Sequence, residues 1–142
     1  MSKVAVVFWS GTGNTEQMAE AVAEGAKSAG AEVTLANVND FDSSSVADFD
    51  GIAFGCPAMG NEVLEEYSFE PMFESVEGNL GGKKIAIFGS YEWNDGQWMR
   101  DWDERVKNTA GIIVYPALMA YDNPDDEALT KCRELGEALA TK

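Results

Sequence analysis

Short apolar runs alternate with helical stripes along this chain from its first residues to its last, and that alternation restricts the fold more than any other feature. Strands are predicted at 3–9, 32–37, 51–55, 84–89 and 111–118, each short and rich in Val, Ile, Phe or Ala. Between them Met18, Ala19, Val22, Ala23 and Ala26 mark one helical face, and Phe69, Met72, Phe73 and Val76 mark another behind Pro71. Trp98, Trp102 and Val106 form a third stripe; Ala128, Leu129, Cys132, Leu135 and Leu139 form the last. The stretch 41–48 carries one short helical turn at most. No linker, low-complexity tract or repeat interrupts the series, so residues 1–142 are expected to form one domain. The fold class expected is α/β: a doubly wound, five-stranded parallel sheet in the order 2-1-3-4-5, with helices on both faces. In that order the chain reverses direction between strands 1 and 3, where ligands bind. Residues 10–15, 56–66 and 90–96 are therefore expected to converge.

Charge and composition narrow the partners. Twenty-five acidic residues against ten basic ones give a formal charge of -15, which repels nucleic acid phosphates and anionic lipid and favours basic-faced partners. The chain has no His, which removes the commonest general base and the commonest metal ligand. Cys56 and Cys132 make neither a Cys-x-x-Cys motif nor a zinc spacing. They read as buried hydrophobes in a reducing, cytoplasmic protein. The apolar run 4–9 is too short to span a bilayer, so no membrane association is expected.

After the first strand comes Ser10-Gly11-Thr12-Gly13-Asn14-Thr15, which opens directly onto a helix. Glycines let backbone N–H groups approach an anion, hydroxyls donate to its oxygens, and the helix N-terminus adds partial positive charge. A P-loop would carry Lys where Asn14 stands, and a dinucleotide fingerprint would carry a small residue where Glu16 stands. A phosphate loop of another kind is left, beside the plainer alternative of a tight turn capped by Asn or Thr.

The segment Phe8-Trp9-Ser10-Gly11-Thr12-Gly13-Asn14-Thr15 closely resembles the FMN phosphate loop of short-chain flavodoxins. Gly55-Cys56-Pro57-Ala58-Met59-Gly60-Asn61-Glu62 is similar to that family's loop over one flavin face, and Phe88-Gly89-Ser90-Tyr91-Glu92-Trp93-Asn94-Asp95-Gly96 to its loop over the other. The likeness runs nearly end to end, including Glu65-Glu66 and Trp98-Met99-Arg100-Asp101, without the long last-strand insertion of long-chain members. It implies one non-covalently bound FMN held by Ser10, Gly11, Thr12, Gly13, Asn14 and Thr15, by Pro57, Ala58, Met59, Gly60, Asn61 and Glu62, and by Ser90, Tyr91, Glu92, Trp93 and Asn94. Catalytic and metal-binding residues are not expected.

The resemblance assigns roles that physics supports. Trp93 stacks on the isoalloxazine ring, adding on the order of 1 kcal/mol beyond area burial. Met59 packs a polarizable thioether on an aromatic face. The Gly60-Asn61 peptide turns on reduction to present a carbonyl to flavin N5, a motion glycine permits, and so stabilises the semiquinone. Glu62 accepts from flavin N3-H. Trp98 and Trp102, at helical spacing, are assigned to packing instead. The chain departs from the family pattern at Glu92 and Asn94, which flank Trp93 in place of glycines, at Asn61 in place of an acid, and at Pro57 in place of Ser.

A phosphate loop without Lys or Arg leaves net negative charge beside the flavin, and Glu62, Glu65, Glu66, Glu92 and Asp95 are expected on the same rim. One uncompensated charge at about 8 Å costs the anionic hydroquinone roughly 2 kcal/mol, about 90 mV in the reducing direction. The function expected is low-potential, one-electron transfer through a stabilised semiquinone, by a monomer that serves basic-faced reductases and electron acceptors. An NAD(P)H-dependent quinone reductase of the same fold would need space over a ring whose faces Trp93 and Met59 cover. A cofactor-free response regulator would need acids where the first strand ends in Trp9 and Ser10.

Overall fold

The computed structural model describes residues 2–11, 13–59, 64–92 and 96–141. Its elements in chain order are β1 (Lys3–Phe8), α1 (Asn14–Ser28), β2 (Glu32–Asn37), β3 (Gly51–Gly55), α2 (Phe69–Val76), β4 (Lys84–Tyr91), α3 (Gln97–Lys107), β5 (Ile112–Ile113), β6 (Leu118–Tyr121) and α4 (Asp126–Thr141). Between β2 and β3 the chain makes two 3-10 turns, Val38–Asp40 and Ser43–Asp48, in place of a full crossover helix.

The strands pair in parallel in the order β2-β1-β3-β4-β5, the order expected, with β6 also on β4. Consecutive β1 side chains alternate between two cores. Ala5 and Val7 join Ile52, Phe54, Ile85 and Ile87 under α2 and α3, whereas Val4, Val6 and Phe8 join Ala53, Ala86 and Phe88 under α1 and α4. Burial on both faces is why these strands read as unbroken apolar runs.

The fifth strand position is filled by two pieces, where the sequence pattern predicts a single strand at 111–118. Ile113 pairs with Ile85 and Leu118 with Phe88, so β4 advances three residues while its partner advances five. The surplus falls in 114–117, where Pro116 has no N–H for the ladder and the Tyr115 hydroxyl donates to Glu134 Oε2 at 3.1 Å. β6 then continues past the predicted end, beside a β4 that runs on to Tyr91.

On the α2/α3 face, Phe69 and Phe73 meet Trp102 edge-on at 5.5 and 5.8 Å. Arg105 closes this layer. Its guanidinium donates to both Glu70 oxygens at 2.8 Å and to Glu77 at 2.9 and 2.8 Å, and lies 4.9 Å from the Phe73 ring centroid. Those bonds hold the guanidinium protonated, well above its ordinary range. Arg105→Leu leaves two half-buried carboxylates facing each other and is expected to cost about 2 kcal/mol in urea unfolding. Arg105→Lys is expected to recover less than half of that, because an ammonium cannot span both acids.

Candidate functional site

The site is assembled where β1, β3 and β4 end. The ladder runs past β1 and β3 into their loops through Trp9 N–H to Gly55 O at 3.0 Å, Cys56 N–H to Phe88 O at 3.1 Å and Ala58 N–H to Ser90 O at 3.0 Å. The first residues of the three loops are thereby fixed against one another.

In the first loop, Ser10 Oγ accepts from the N–H groups of Gly13 at 3.0 Å and Glu16 at 3.3 Å, which draws the turn closed. Gly13 takes a left-handed φ of 96° with open space where a Cβ would stand, and contributes no side-chain cap to α1. The Trp9 indole lies against Gly11, within 3.0 Å of where a Cβ would be. The donor set is glycines, hydroxyls and a helix N-terminus without a basic side chain, which suits an anion held by dipoles. Thr15 is fully buried, and its hydroxyl shares a 2.9 Å hydrogen bond with that of Ser90, so this loop is tied to the end of β4.

In the second loop, Pro57, Ala58 and Met59 are half-buried after a buried Cys56. The Trp98 indole N–H donates to Cys56 O at 3.2 Å. Burial pushes the Cys56 thiol far above its ordinary range, so it stays protonated and donates to Pro57 O at 3.6 Å. In the third loop Ser90 is buried, Tyr91 packs at 5.6 Å from Trp98 and 5.3 Å from Tyr121, and Glu92 is exposed.

Ser10, Gly11, Gly13, Asn14, Thr15, Pro57, Ala58, Met59, Ser90, Tyr91 and Glu92 thus come together at neighbouring strand ends. Thr12, Gly60, Asn61, Glu62, Trp93 and Asn94 lie outside the described residues, as does Asp95. The expectation that Glu65 stands on an acidic rim needs correction. Glu65 is 4% exposed, and its carboxylate accepts from the N–H groups of Tyr67, Ser68 and Phe69 at 2.9, 2.7 and 2.8 Å. It caps α2. Glu66, beside it, is exposed as expected. The assignment of Trp98 and Trp102 to packing holds, since both are buried on α3. Sequence reasoning missed the second task of Trp98, its bond to Cys56 O, which depends on a neighbour 42 residues away.

A doubly wound parallel sheet with a lysine-free glycine and hydroxyl loop at its switch point defines a mononucleotide-binding α/β protein. A sequence profile of the flavodoxin family matches residues 6–136. The chain is 45% identical over 135 residues to a flavodoxin of Clostridium beijerinckii, covering 95% of this chain and 97% of that one. It is 43% identical over 137 residues to a flavodoxin of Megasphaera elsdenii, covering 96% and 98%. The solution structure of the two-electron reduced Megasphaera elsdenii flavodoxin superposes with a TM-score of 0.86 over 98% of this chain and 99% of that one, at 42% identity. The chain belongs to the flavodoxin family. Its cofactor is FMN, and its function is electron transfer to redox partner proteins, without substrate turnover. FMN supplies the redox chemistry, and the donor set of the first loop fits its phosphate.

Proposed function

We propose that residues 1–142 work as one flavodoxin-like domain, a monomeric, cytoplasmic, low-potential carrier that moves single electrons on FMN between basic-faced redox proteins. The observation that carries this reading is the α1 N-terminus. A phosphate there is met by helix dipole, backbone N–H groups and hydroxyls alone, so its charge is not cancelled by a cation and reduction of the nearby ring is made harder. The phosphate is assigned to Ser10, Gly11, Thr12, Gly13, Asn14 and Thr15. The ring is assigned to Pro57, Ala58, Met59, Gly60, Asn61 and Glu62 on one side and Ser90, Tyr91, Glu92, Trp93 and Asn94 on the other.

Charge distribution supports the partner assignment. Exposed Glu16, Glu66, Glu92, Asp122 and Asp125 lie at the end where the strands finish. Lys3, Lys83 and Lys84 sit at strand starts and Lys27 and Lys107 at helix ends, all at the opposite pole. Two described cations lie nearer the strand ends: Arg100, in the first turn of α3, which donates to Gln97 at 2.8 Å, and Lys131, early in α4 beside Tyr121 and Asp125, which pairs with Glu127 at 3.5 Å. A basic partner is therefore drawn to the cofactor end. Among the described residues, no helix is long and apolar enough to cross a membrane.

The test is stepwise anaerobic reduction of the purified protein, followed by absorption, with the released cofactor identified. FMN and a blue neutral semiquinone, with full reduction only at very low potential, are expected. Direct two-electron reduction by NAD(P)H without a one-electron stage, or failure to take up FMN, overturns the reading.

A further inference from the structure

Cys56, just after β3, and Glu65, ahead of α2, are joined by bonds that lie beneath the proposed cofactor contacts. At the outgoing end, Cys56 N–H is held by Phe88 O and Cys56 O by the Trp98 indole N–H at 3.2 Å. At the returning end, the Glu65 N–H donates to Cys56 Sγ at 3.4 Å, and the same thiol donates to Pro57 O. The two ends of the turn therefore meet on one buried sulfur. Glu65 is tied to the start of α2, because its carboxylate accepts from the N–H groups of Phe69, the first residue of the helix, of its N-cap Ser68 and of Tyr67 before it. A buried carboxylate costs several kcal/mol unless its oxygens are paired, and among the described residues they are paired with the backbone N–H groups of 67–69.

We propose that Glu65 is a positioning residue for the flavin-facing turn, acting through its backbone cap and through Cys56 Sγ, and that this base sets how strongly the turn can favour one redox state of the cofactor over another. The inference rests on the reading that residues 57–62 face FMN. A buried carboxylate also acts on the ring through its charge, which low dielectric strengthens, so the variants below are chosen to separate the cap from the charge.

Three variants test it: Glu65→Ala removes cap and charge, Glu65→Gln removes the charge, keeps a carbonyl acceptor for Ser68 and Phe69 and loses the acceptor for Tyr67, and Cys56→Ala removes the sulfur and leaves every charge in place. Two quantities are read, amide hydrogen exchange at Glu65, Tyr67, Ser68 and Phe69 in the apoprotein, and the separation of the two one-electron potentials with FMN bound. Glu65→Ala and Cys56→Ala are expected to speed exchange at Glu65 at least tenfold, and to narrow the separation by about tenfold in equilibrium constant, about 59 mV. Glu65→Gln is expected to keep exchange slow at Glu65, Ser68 and Phe69, to speed it at Tyr67, and to narrow the separation by less than half as much as Glu65→Ala does. Equal shifts in Glu65→Ala and Glu65→Gln would reduce the role of Glu65 to its charge. A separation in Cys56→Ala equal to that of the wild type overturns the inference even if Glu65→Ala fails to fold. A lowered melting temperature with unchanged potentials overturns it as well, leaving a structural cap only. Wild-type protein that takes up no FMN removes the functional reading, and this inference with it; the other adverse outcomes remove this inference alone.

Discussion

Gly136→Val is expected to destabilise the protein by about 3 kcal/mol and to lower its melting temperature by roughly 10 °C, a larger loss than any single surface change produces. The cause is the close approach of α1 and α4. A Cβ at Gly136 would fall far inside van der Waals contact distance of Val22 O and come to 2.8 Å from Ala26 N, and a Cβ at Gly25 would strike Arg133 O in the same way. Each obstruction is helix backbone, which no rotamer change can relieve. The helices would have to move apart, and the core formed by Val22, Ala26, Cys132, Leu135 and Leu139 would open with them. A glycine inside a helix costs roughly 1 kcal/mol relative to alanine, and here that cost is offset because Gly25 lies against the backbone of Arg133 and Gly136 against that of Val22 and Ala26. Gly78, where a Cβ meets nothing within 4 Å, serves as the control, and Gly78→Ala is expected to be nearly neutral. Thermal melts of both variants decide the matter. Comparable melting temperatures for Gly136→Val and the wild type would mean that α4 can shift on the sheet without loss.

How much of this was legible in the sequence depends on whether the signal was periodic or tertiary. The runs Val4 to Phe8 and Ile85 to Phe88 show their strands plainly, because burial on both faces makes every position apolar. The stripes Phe69, Met72, Phe73, Val76 and Trp98, Trp102, Val106 show their helices because only one face of each meets the sheet. The loop Ser10 to Thr15 shows its purpose through composition. The break between β5 and β6 was harder to see, since Ile112, Ile113, Val114 and Tyr115 read as one continuous strand and only Pro116 signals a lost ladder bond. Glu65 was misplaced for a physical reason. An acid beside a second acid reads as solvated surface, and its burial follows from a backbone turn over 65–69 that leaves no periodic trace, although an acid shortly before a helix start with Pro71 in its first turn is a capping arrangement that was available to read. Gly25 and Gly136 were invisible as a pair, because nothing in either helix states that the other lies against it.

Alkaline conditions should expose the second large effect, a steep loss of stability above about pH 9 driven by the two thiols. Cys132 is buried in the α1/α4 core, and desolvation pushes its thiol from an ordinary 9.0 up to about 12. Desolvation raises Cys56 further still, with the Glu65 carboxylate adding to it and the Glu65 N–H opposing. The sign follows from which state holds the proton. Below about 9 the thiols are protonated in both states, and their contribution to stability is complete. Above it the unfolded chain releases its thiol protons while the folded chain keeps them, so the unfolded state binds fewer protons and stability falls as pH rises toward the folded values. Each thiol then costs about 1.4 kcal/mol per pH unit, and the pair about 5 kcal/mol by roughly pH 11. Urea unfolding across this range measures the slope. Cys132→Ala is expected to be less stable at neutral pH, because it leaves a cavity, yet its stability should fall more gently above about pH 9, by one thiol's share. The crossing of these two effects is what makes the test sharp: a purely structural role for Cys132 lowers the curve without changing its slope, whereas a buried neutral thiol lowers the curve and flattens it. A slope unchanged from the wild type would mean that the unfolded thiolate is not what drives alkaline unfolding.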